Sequence, residues 1–115
     1  MKNIEWYPSE DNALLLDFIK ELKKKNDNQN YDNLKRIIEQ LEIHGFELEK
    51  ISKGSIKKMG NKLWELRYFD VRILFTHHKE KQIFYILQGF LKDSQKTPQK
   101  IIKQARKYVK EIQRN

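Results

Sequence analysis

The sequence contains no cysteine, only two prolines and four glycines, and no long run of apolar residues. Without cysteine, disulfide bonds, thiolate metal ligands and a cysteine nucleophile are all excluded. The apolar runs are too short to span a membrane, and the first ten residues lack the apolar core of a signal peptide. We therefore expect a cytoplasmic protein with no membrane partner.

The length and composition predict a single domain over residues 1–115. Hydrophobic residues make up 38% of the chain and aromatic residues 11%, which is enough for one modest core. The three histidines do not stand beside carboxylates at the spacing of metal ligands. We expect neither a metal nor a cofactor.

The formal net charge of +8 is distributed unevenly along the chain. Residues 1–52 hold 8 Lys or Arg against 11 Asp or Glu, a net −3, whereas residues 53–115 hold 16 against 5, a net +11. A basic half of this kind indicates a polyanionic partner, and nucleic acid or the ribosome is the typical one. The alternative is an ordinary solvated surface.

Three consecutive strands are predicted in the basic half. Leu63 to Phe69, Val71 to His77 and Ile83 to Phe90 are rich in aromatic and β-branched residues, and short polar segments separate them. Two successive hairpins form an antiparallel meander. Asn3 to Tyr7 is predicted as a further short strand at the edge of the same sheet.

Each of the first two strands of the meander carries an arginine. Arg67 and Arg72 cannot lose their charge, and the interior of a sheet disfavours an unpaired cation, so each should meet an anion. That anion is either a carboxylate of the protein, such as Glu65 or Asp70, or the phosphate of a ligand. The sequence leaves both possibilities open.

Further candidate residues surround the arginines. Lysines flank the meander on both sides, and each is either a phosphate contact or part of a solvated connection: Lys53, Lys57, Lys58, Lys62, Lys92 and Lys96. His77 and His78 fall at a hairpin end, where simple solvent exposure is favoured over a role as acid and base. Tyr85 is suited to stacking on a base, but strands favour tyrosine for packing alone.

Helices are predicted on either side of the strands. The first runs from about Glu10 to Lys25, and the second starts near Tyr31 or Asp32 and ends at Gly45. The segment from Phe46 to Asn61 has no clear period and is predicted as a loop, either a flexible connection or an ordered arm over a phosphate backbone. Thr97 and Pro98 are typical of a helix start, and the last helix has one apolar face and one basic face.

Four short segments together carry a resemblance to a known family. They are Leu63 to Arg67, Val71 to Phe75, Gly89 to Lys92 and Gln95 to Pro98. In their order and spacing they resemble the phage-derived HigB-like toxins of the RelE superfamily, and with the flanking helices the resemblance covers essentially the whole chain. The resemblance implies an α+β, RelE-like fold, in which an N-terminal strand and a helical hairpin pack on a small, mainly antiparallel sheet with a C-terminal helix.

The resemblance also implies a function. Members of this family are toxins of type II toxin–antitoxin systems that cleave translated mRNA on the ribosome, so the implied partners are a HigA-like helix-turn-helix antitoxin, mRNA and the small ribosomal subunit. The matching catalytic positions are Arg67, Arg72, Lys92 and Lys96, which would hold and neutralise the scissile phosphate. Lys53, Lys57, Lys58, Lys62, Tyr85 and His78 are predicted RNA contacts. Asp93 stands where the family commonly has a second lysine.

Two other hypotheses compete with the toxin. A non-catalytic RNA-binding or phage host-interaction module would keep the basic face and bind RNA in a salt-sensitive manner without cleaving it. A structural phage protein would neither bind nor cleave RNA.

Overall fold

The computed structural model describes residues 1–93 and 98–114. Within these ranges the strands are β1 (Asn3–Trp6), β2 (Ile56–Gly60), β3 (Leu63–Tyr68), β4 (Val71–His78) and β5 (Ile83–Leu91). The helices are α1 (Leu14–Lys24), α2 (Asn28–His44), α3 (Leu48–Ile51) and α4 (Pro98–Arg114), with a 3-10 turn (Gly45–Glu47) between α2 and α3.

The strands form one mixed sheet in the order β1-β5-β4-β3-β2. The pairs β2–β3, β3–β4 and β4–β5 are antiparallel, and the short β1 joins β5 in parallel. The predicted α+β fold with its antiparallel meander is therefore confirmed. β4 lies at the centre of the sheet, between β3 and β5.

Each face of the sheet packs against helices, so the protein has two hydrophobic clusters. On one face, Val71, Ile73 and Phe75 of β4 pack against the apolar stripes of α1 and α2. On the other face, Leu74 packs against the apolar stripe of α4, which includes Ile101. The period of two along β4 thus sends alternate side chains into different clusters, as the strand geometry requires.

The helical hairpin lies very close to the sheet at Gly89 on β5. A Cβ atom added at Gly89 would lie 2.5 Å from a ring carbon of Phe18, a buried side chain of α1. We expect Gly89→Ala to destabilise the fold by about 1–3 kcal/mol, because the packed ring has little room to move. Urea unfolding measures this cost. In a Phe18→Leu background, Gly89→Ala should destabilise the fold by less. If the free-energy costs of the two substitutions simply add, the close contact between Gly89 and Phe18 is contradicted.

Two helix starts differ from those predicted. α1 begins at Leu14, later than the predicted Glu10, because residues 9–12 form a turn in which the Asn12 N–H donates to the Ser9 carbonyl at 3.3 Å. α2 begins at Asn28, earlier than predicted, because the Asp27 side chain caps it by accepting the Asn30 N–H at 3.2 Å. Asp27 is thus the N-cap of α2.

The segment predicted as a loop between residues 46 and 61 contains regular secondary structure, so the prediction of a loop was wrong. It contains part of the 3-10 turn, α3 and β2. The Glu49 carboxylate accepts the N–H groups of Gly54 at 2.8 Å and Ile56 at 2.7 Å, and these two bonds lower the pKa of Glu49. They hold the turn from which β2 starts. β2 is an outer strand with exposed lysines, a common device against aggregation at a sheet edge.

A half-buried tyrosine cluster ties the start of the chain to α4. The Tyr7 hydroxyl donates to Glu111 at 2.8 Å, and the ring packs edge-on against Tyr85 and Tyr108. Burial, followed by the bond to the Glu111 carboxylate, raises the pKa of Tyr7 to about 12.

This shift predicts a loss of stability at alkaline pH. The folded state holds the Tyr7 proton more tightly than the unfolded chain, so its contribution is complete below the ordinary pKa of 10.0 and is lost as pH rises to about 12. Burial also raises the pKa of Tyr85, so Tyr7→Phe should flatten the fall between these pH values without removing it. Urea unfolding across the range measures the slope. An equally steep fall in Tyr7→Phe would contradict the assignment.

Candidate phosphate-binding site

Arg67 and Arg72 lie directly opposite one another on neighbouring strands. Arg67 of β3 pairs with Arg72 of β4, and Arg72 pairs in turn with Phe90 of β5. Direct cross-strand partners project from the same face of a sheet, and this face is the one that α4 covers further along. Like charges in this position destabilise a sheet, so another interaction should compensate them.

Arg67 is partly open to solvent. Its side chain is 40% exposed, and its Nε lies 3.5 Å from Oε1 of Glu65, whose side chain is only 10% exposed. The Nε is buried and makes no hydrogen bond, so the contact is an ion pair at long range. Over the described part of the chain, no hydrogen bond reaches the two terminal nitrogens of Arg67. A half-exposed guanidinium whose terminal nitrogens are unengaged is well suited to a bidentate anion.

Arg72 is held differently, by backbone carbonyls. The residue is 7% exposed, and its Nη1 donates to the carbonyl of Phe69 at 2.6 Å and to that of Val71 at 2.9 Å. Among residues 1–93 and 98–114, no carboxylate lies within ion-pair distance of it. Arg72 therefore holds the β3–β4 turn in place and leaves a positive charge near the surface that no acid of the described chain neutralises.

The neighbouring positions on this face add one acid, one amide and one lysine. The next row of the sheet contains, from β2 to β5, Lys57, Glu65, Leu74 and Gln88. Each of these residues pairs with the one after it. The Gln88 Oε1 is buried and has no partner. Glu65 is the only carboxylate within ion-pair distance of either arginine in the described ranges, so the positive charges outnumber it.

The turn between β3 and β4 and the end of β5 lie beside each other. The Lys92 N–H donates to the carbonyl of Asp70 at 2.7 Å, which brings the backbone of Lys92 to the turn that Arg72 holds. Lys92, Asp70 and Asp93 are all exposed. Of the predicted catalytic residues, the structure thus brings Arg67, Arg72 and Lys92 to one end of the sheet. Lys96 lies outside the described residues.

The predicted RNA-binding lysines do not form a single surface. Lys57 shares the face of the arginines. Lys53 lies in the turn before β2, and the carbonyl of Ser55 in the same turn accepts the Arg67 N–H at 2.8 Å. Lys58 pairs with Trp64 and belongs to the opposite face. Lys62 lies in the turn at the other end of β3.

The histidines stand at the end of β4 but are not fully exposed to solvent, so the interpretation as simple solvent exposure was wrong. His78 is 6% exposed, and its Nδ1 accepts the Lys81 N–H at 3.2 Å. The His77 ring packs against Phe84 with 4.4 Å between centroids, and burial is the main reason that its pKa is lowered.

Two predicted RNA contacts lie away from the arginines. His78 is six residues from Arg72 along β4, about 20 Å at the rise of a strand. Tyr85 pairs with Thr76, four residues from Arg72, and packs against Tyr7. The structure therefore does not group His78 or Tyr85 with the cations.

One functional candidate was missed by the reasoning from sequence. Phe69, predicted only as the last residue of a strand, occupies the β3–β4 turn with 70% of its surface exposed. The sequence does show an aromatic residue near two arginines. That signal can be recognised only once the exact residues of the turn are known.

Neither a metal site nor a membrane span is found among the described residues. No group of three His, Asp or Glu side chains in these ranges is placed to hold a metal ion. No helix in them has the length and apolar character needed to cross a bilayer.

The comparisons with known proteins give one match. The family model described as "Phage derived protein Gp49-like (DUF891)" matches residues 17–110, which include every strand except β1 and most of α4. No curated protein matches the chain. The matched region contains both arginines and Phe69.

Proposed function

Because the chain belongs to the Gp49-like family of phage-derived proteins, a RelE/HigB-like toxin family, we propose that it is the toxin of a type II toxin–antitoxin system and cleaves mRNA on the ribosome. Proteins of this family are generally toxin-like modules of such systems. The proposed substrate is translated mRNA, and the proposed partners are the small ribosomal subunit and a HigA-like antitoxin. The proposed compartment is the cytoplasm.

The cross-strand arginine pair is the observation that supports this proposal best. Two like charges face each other on neighbouring strands, and Glu65 pairs with one of them only. A sheet accepts this arrangement at a cost, and a phosphate placed over the pair would offset it. The terminal nitrogens of Arg67 are the groups that would contact that phosphate.

The proposed reaction is attack of a ribose 2′-hydroxyl on the adjacent phosphate. The new bond joins the 2′-oxygen to phosphorus, and the bond from phosphorus to the 5′-oxygen breaks, which leaves a 2′,3′-cyclic phosphate and a 5′-hydroxyl. The 2′-hydroxyl loses a proton to a base, and the departing 5′-oxygen receives one from an acid. Negative charge grows on the phosphate oxygens between these events, and fixed cations stabilise it.

The residues have different proposed parts in this reaction. Arg67 contacts the phosphate oxygens directly, and Glu65 orients its guanidinium through Nε. Arg72 supplies a fixed positive charge and holds the turn. Lys92, which is exposed just after β5, adds positive charge there, and Lys96 is proposed to add a further positive charge.

Induced expression in bacteria tests this function. We expect growth arrest and new 5′ ends within translated mRNAs, mapped by primer extension, because the ribosome presents the mRNA to the open site. The purified protein should cleave naked RNA poorly. Expression of the folded protein without arrest or new 5′ ends would contradict the proposal.

A non-catalytic RNA-binding module is the second candidate. It is favoured by the positions of His77 and His78, which place no imidazole beside the arginines. This candidate predicts RNA binding that weakens as salt rises, with no new 5′ ends at any salt concentration. The mapping of mRNA ends therefore separates the two candidates.

A further inference from the structure

Phe69 is an exposed aromatic side chain in the two-residue turn between β3 and β4. β3 ends at Tyr68 and β4 begins at Val71, so Phe69 and Asp70 alone make the turn. The Phe69 residue is 70% exposed. A single exposed apolar residue is ordinary in a protein surface, so exposure alone assigns no role.

The backbone at Phe69 adopts a conformation that disfavours phenylalanine. Its φ is +52°, whereas Asp70 is not among the residues with positive φ. A two-residue hairpin turn with a positive φ at its first position only is of the type that favours glycine there. A bulky side chain at positive φ is uncommon and costs free energy. Neither burial nor turn geometry explains why this position carries a phenylalanine.

The contacts of Phe69 place it at the same end of the sheet as the arginines. The Phe69 carbonyl accepts the hydrogen bond from Nη1 of the buried Arg72 at 2.6 Å. The ring of Phe69 meets the ring of Tyr68 edge-on, with 4.7 Å between the centroids, and Tyr68 packs on the opposite face of the sheet from the arginines. Arg67 is two residues earlier, near the end of β3. An exposed apolar ring therefore lies at the end of the sheet that also carries two positive charges.

We propose that Phe69 is a stacking platform for an unpaired base of the RNA whose phosphate Arg67 contacts. Single-stranded RNA is bound in general by cations that follow the phosphates and by aromatic rings that stack on bases. The β3–β4 hairpin supplies both within a few residues. The proposal rests on RNA being the substrate, as proposed above, and it assigns to Phe69 the contact with the base.

Binding of a non-cleavable RNA tests this role separately from catalysis. The probe is a short single-stranded RNA, methylated at every 2′-oxygen and carrying 2-aminopurine, whose fluorescence falls when the base is stacked. It is presented to the protein both alone and on programmed ribosomes with an empty A site. The wild type and Phe69→Tyr should quench the probe. Phe69→Gly should bind it roughly tenfold more weakly, since each stacked base contributes substantially to affinity.

Gln82 provides the matched control for the backbone. It is exposed, lies in the β4–β5 turn and has a φ of +55°, so Gln82→Gly relieves the same kind of conformation at another hairpin. Both glycine variants should unfold at or above the wild-type temperature. Only Phe69→Gly should lose the quenching of the probe.

Three outcomes would overturn the proposal. They are unchanged binding by Phe69→Gly, a drop in its unfolding temperature that Gln82→Gly does not share, and the absence of quenching by the wild type. The nuclease function is judged by a different readout, the appearance of new 5′ ends. If the wild type quenches the probe through Phe69 but generates no such ends, the stacking role stands and the proposed reaction is wrong.

Discussion

Replacing Arg67 with alanine is expected to lower mRNA cleavage by about 100-fold or more, while the protein stays folded. Loss of one preorganised donor to a developing oxyanion typically costs this much. The fold should tolerate the change, because the Arg67 side chain is 40% exposed. Its ion pair with Glu65 contributes about 0–1 kcal/mol, and relief of the repulsion from Arg72 returns a similar amount. Primer extension after induction measures the cleavage, and thermal unfolding measures the fold.

Lys58→Ala is the matched control for this prediction. Lys58 is exposed and carries the same charge, but it pairs with Trp64 and belongs to the opposite face of the sheet. It should cleave mRNA nearly as well as the wild type. Wild-type cleavage by Arg67→Ala, or an equal loss in both variants, would contradict a phosphate site at the arginine pair.

The architecture could be predicted from the sequence because its main signals are local. Alternating apolar residues in β3, β4 and β5 indicate strands, and the short polar segments between them allow only hairpins. The apolar stripe of α4 has helical spacing over 17 residues, which makes the element and its buried face clear. Such patterns depend on neighbours in the chain, so they are visible without the fold.

The elements that were missed depend on contacts across the chain. β2 is an outer strand of five residues with two lysines, and its backbone pairing with β3 forms it without an apolar period. Its start is held by two hydrogen bonds to Glu49, which no pattern in the sequence indicates. Arg106, on the basic face of α4, donates to the Met59 carbonyl at 2.9 Å and so connects α4 to the end of β2.

The sequence predicted one arginine in each of two neighbouring strands and treated the two alike. The structure pairs them on one face of the sheet, but their difference in burial was not predicted. Their burial differs because Arg72 lies in the central strand β4, between β3 and β5, whereas Arg67 lies in β3 near the edge. Strand order is a property of the whole sheet, which explains why the two arginines could not be distinguished beforehand.

Because of this difference in burial, we expect replacement of Arg72 to destabilise the fold, whereas replacement of Arg67 should lower cleavage and leave the protein folded. Arg72→Ala removes the donor to two backbone carbonyls, one of them buried, and truncates a side chain in a residue that is 7% exposed. Each buried acceptor left without a partner costs about 1–3 kcal/mol. Relief of the repulsion from Arg67 returns only about 0.2–1 kcal/mol, so the loss is larger than the gain.

Arg72→Ala is therefore expected to destabilise the fold by about 2–4 kcal/mol, from the lost hydrogen bonds less the relieved repulsion. The unfolding temperature should fall by about 10–20 °C at the usual sensitivity of a domain of this size. Urea and thermal unfolding of the purified variant measure this.

Arg72→Lys keeps the charge and one donor nitrogen, so its stability should fall between that of the wild type and that of Arg72→Ala. If Arg72→Ala unfolds like the wild type, the guanidinium does not hold the turn. If instead it is destabilised as expected, a loss of toxicity in this variant reflects loss of folded protein, and Arg67→Ala is the variant that reports on catalysis.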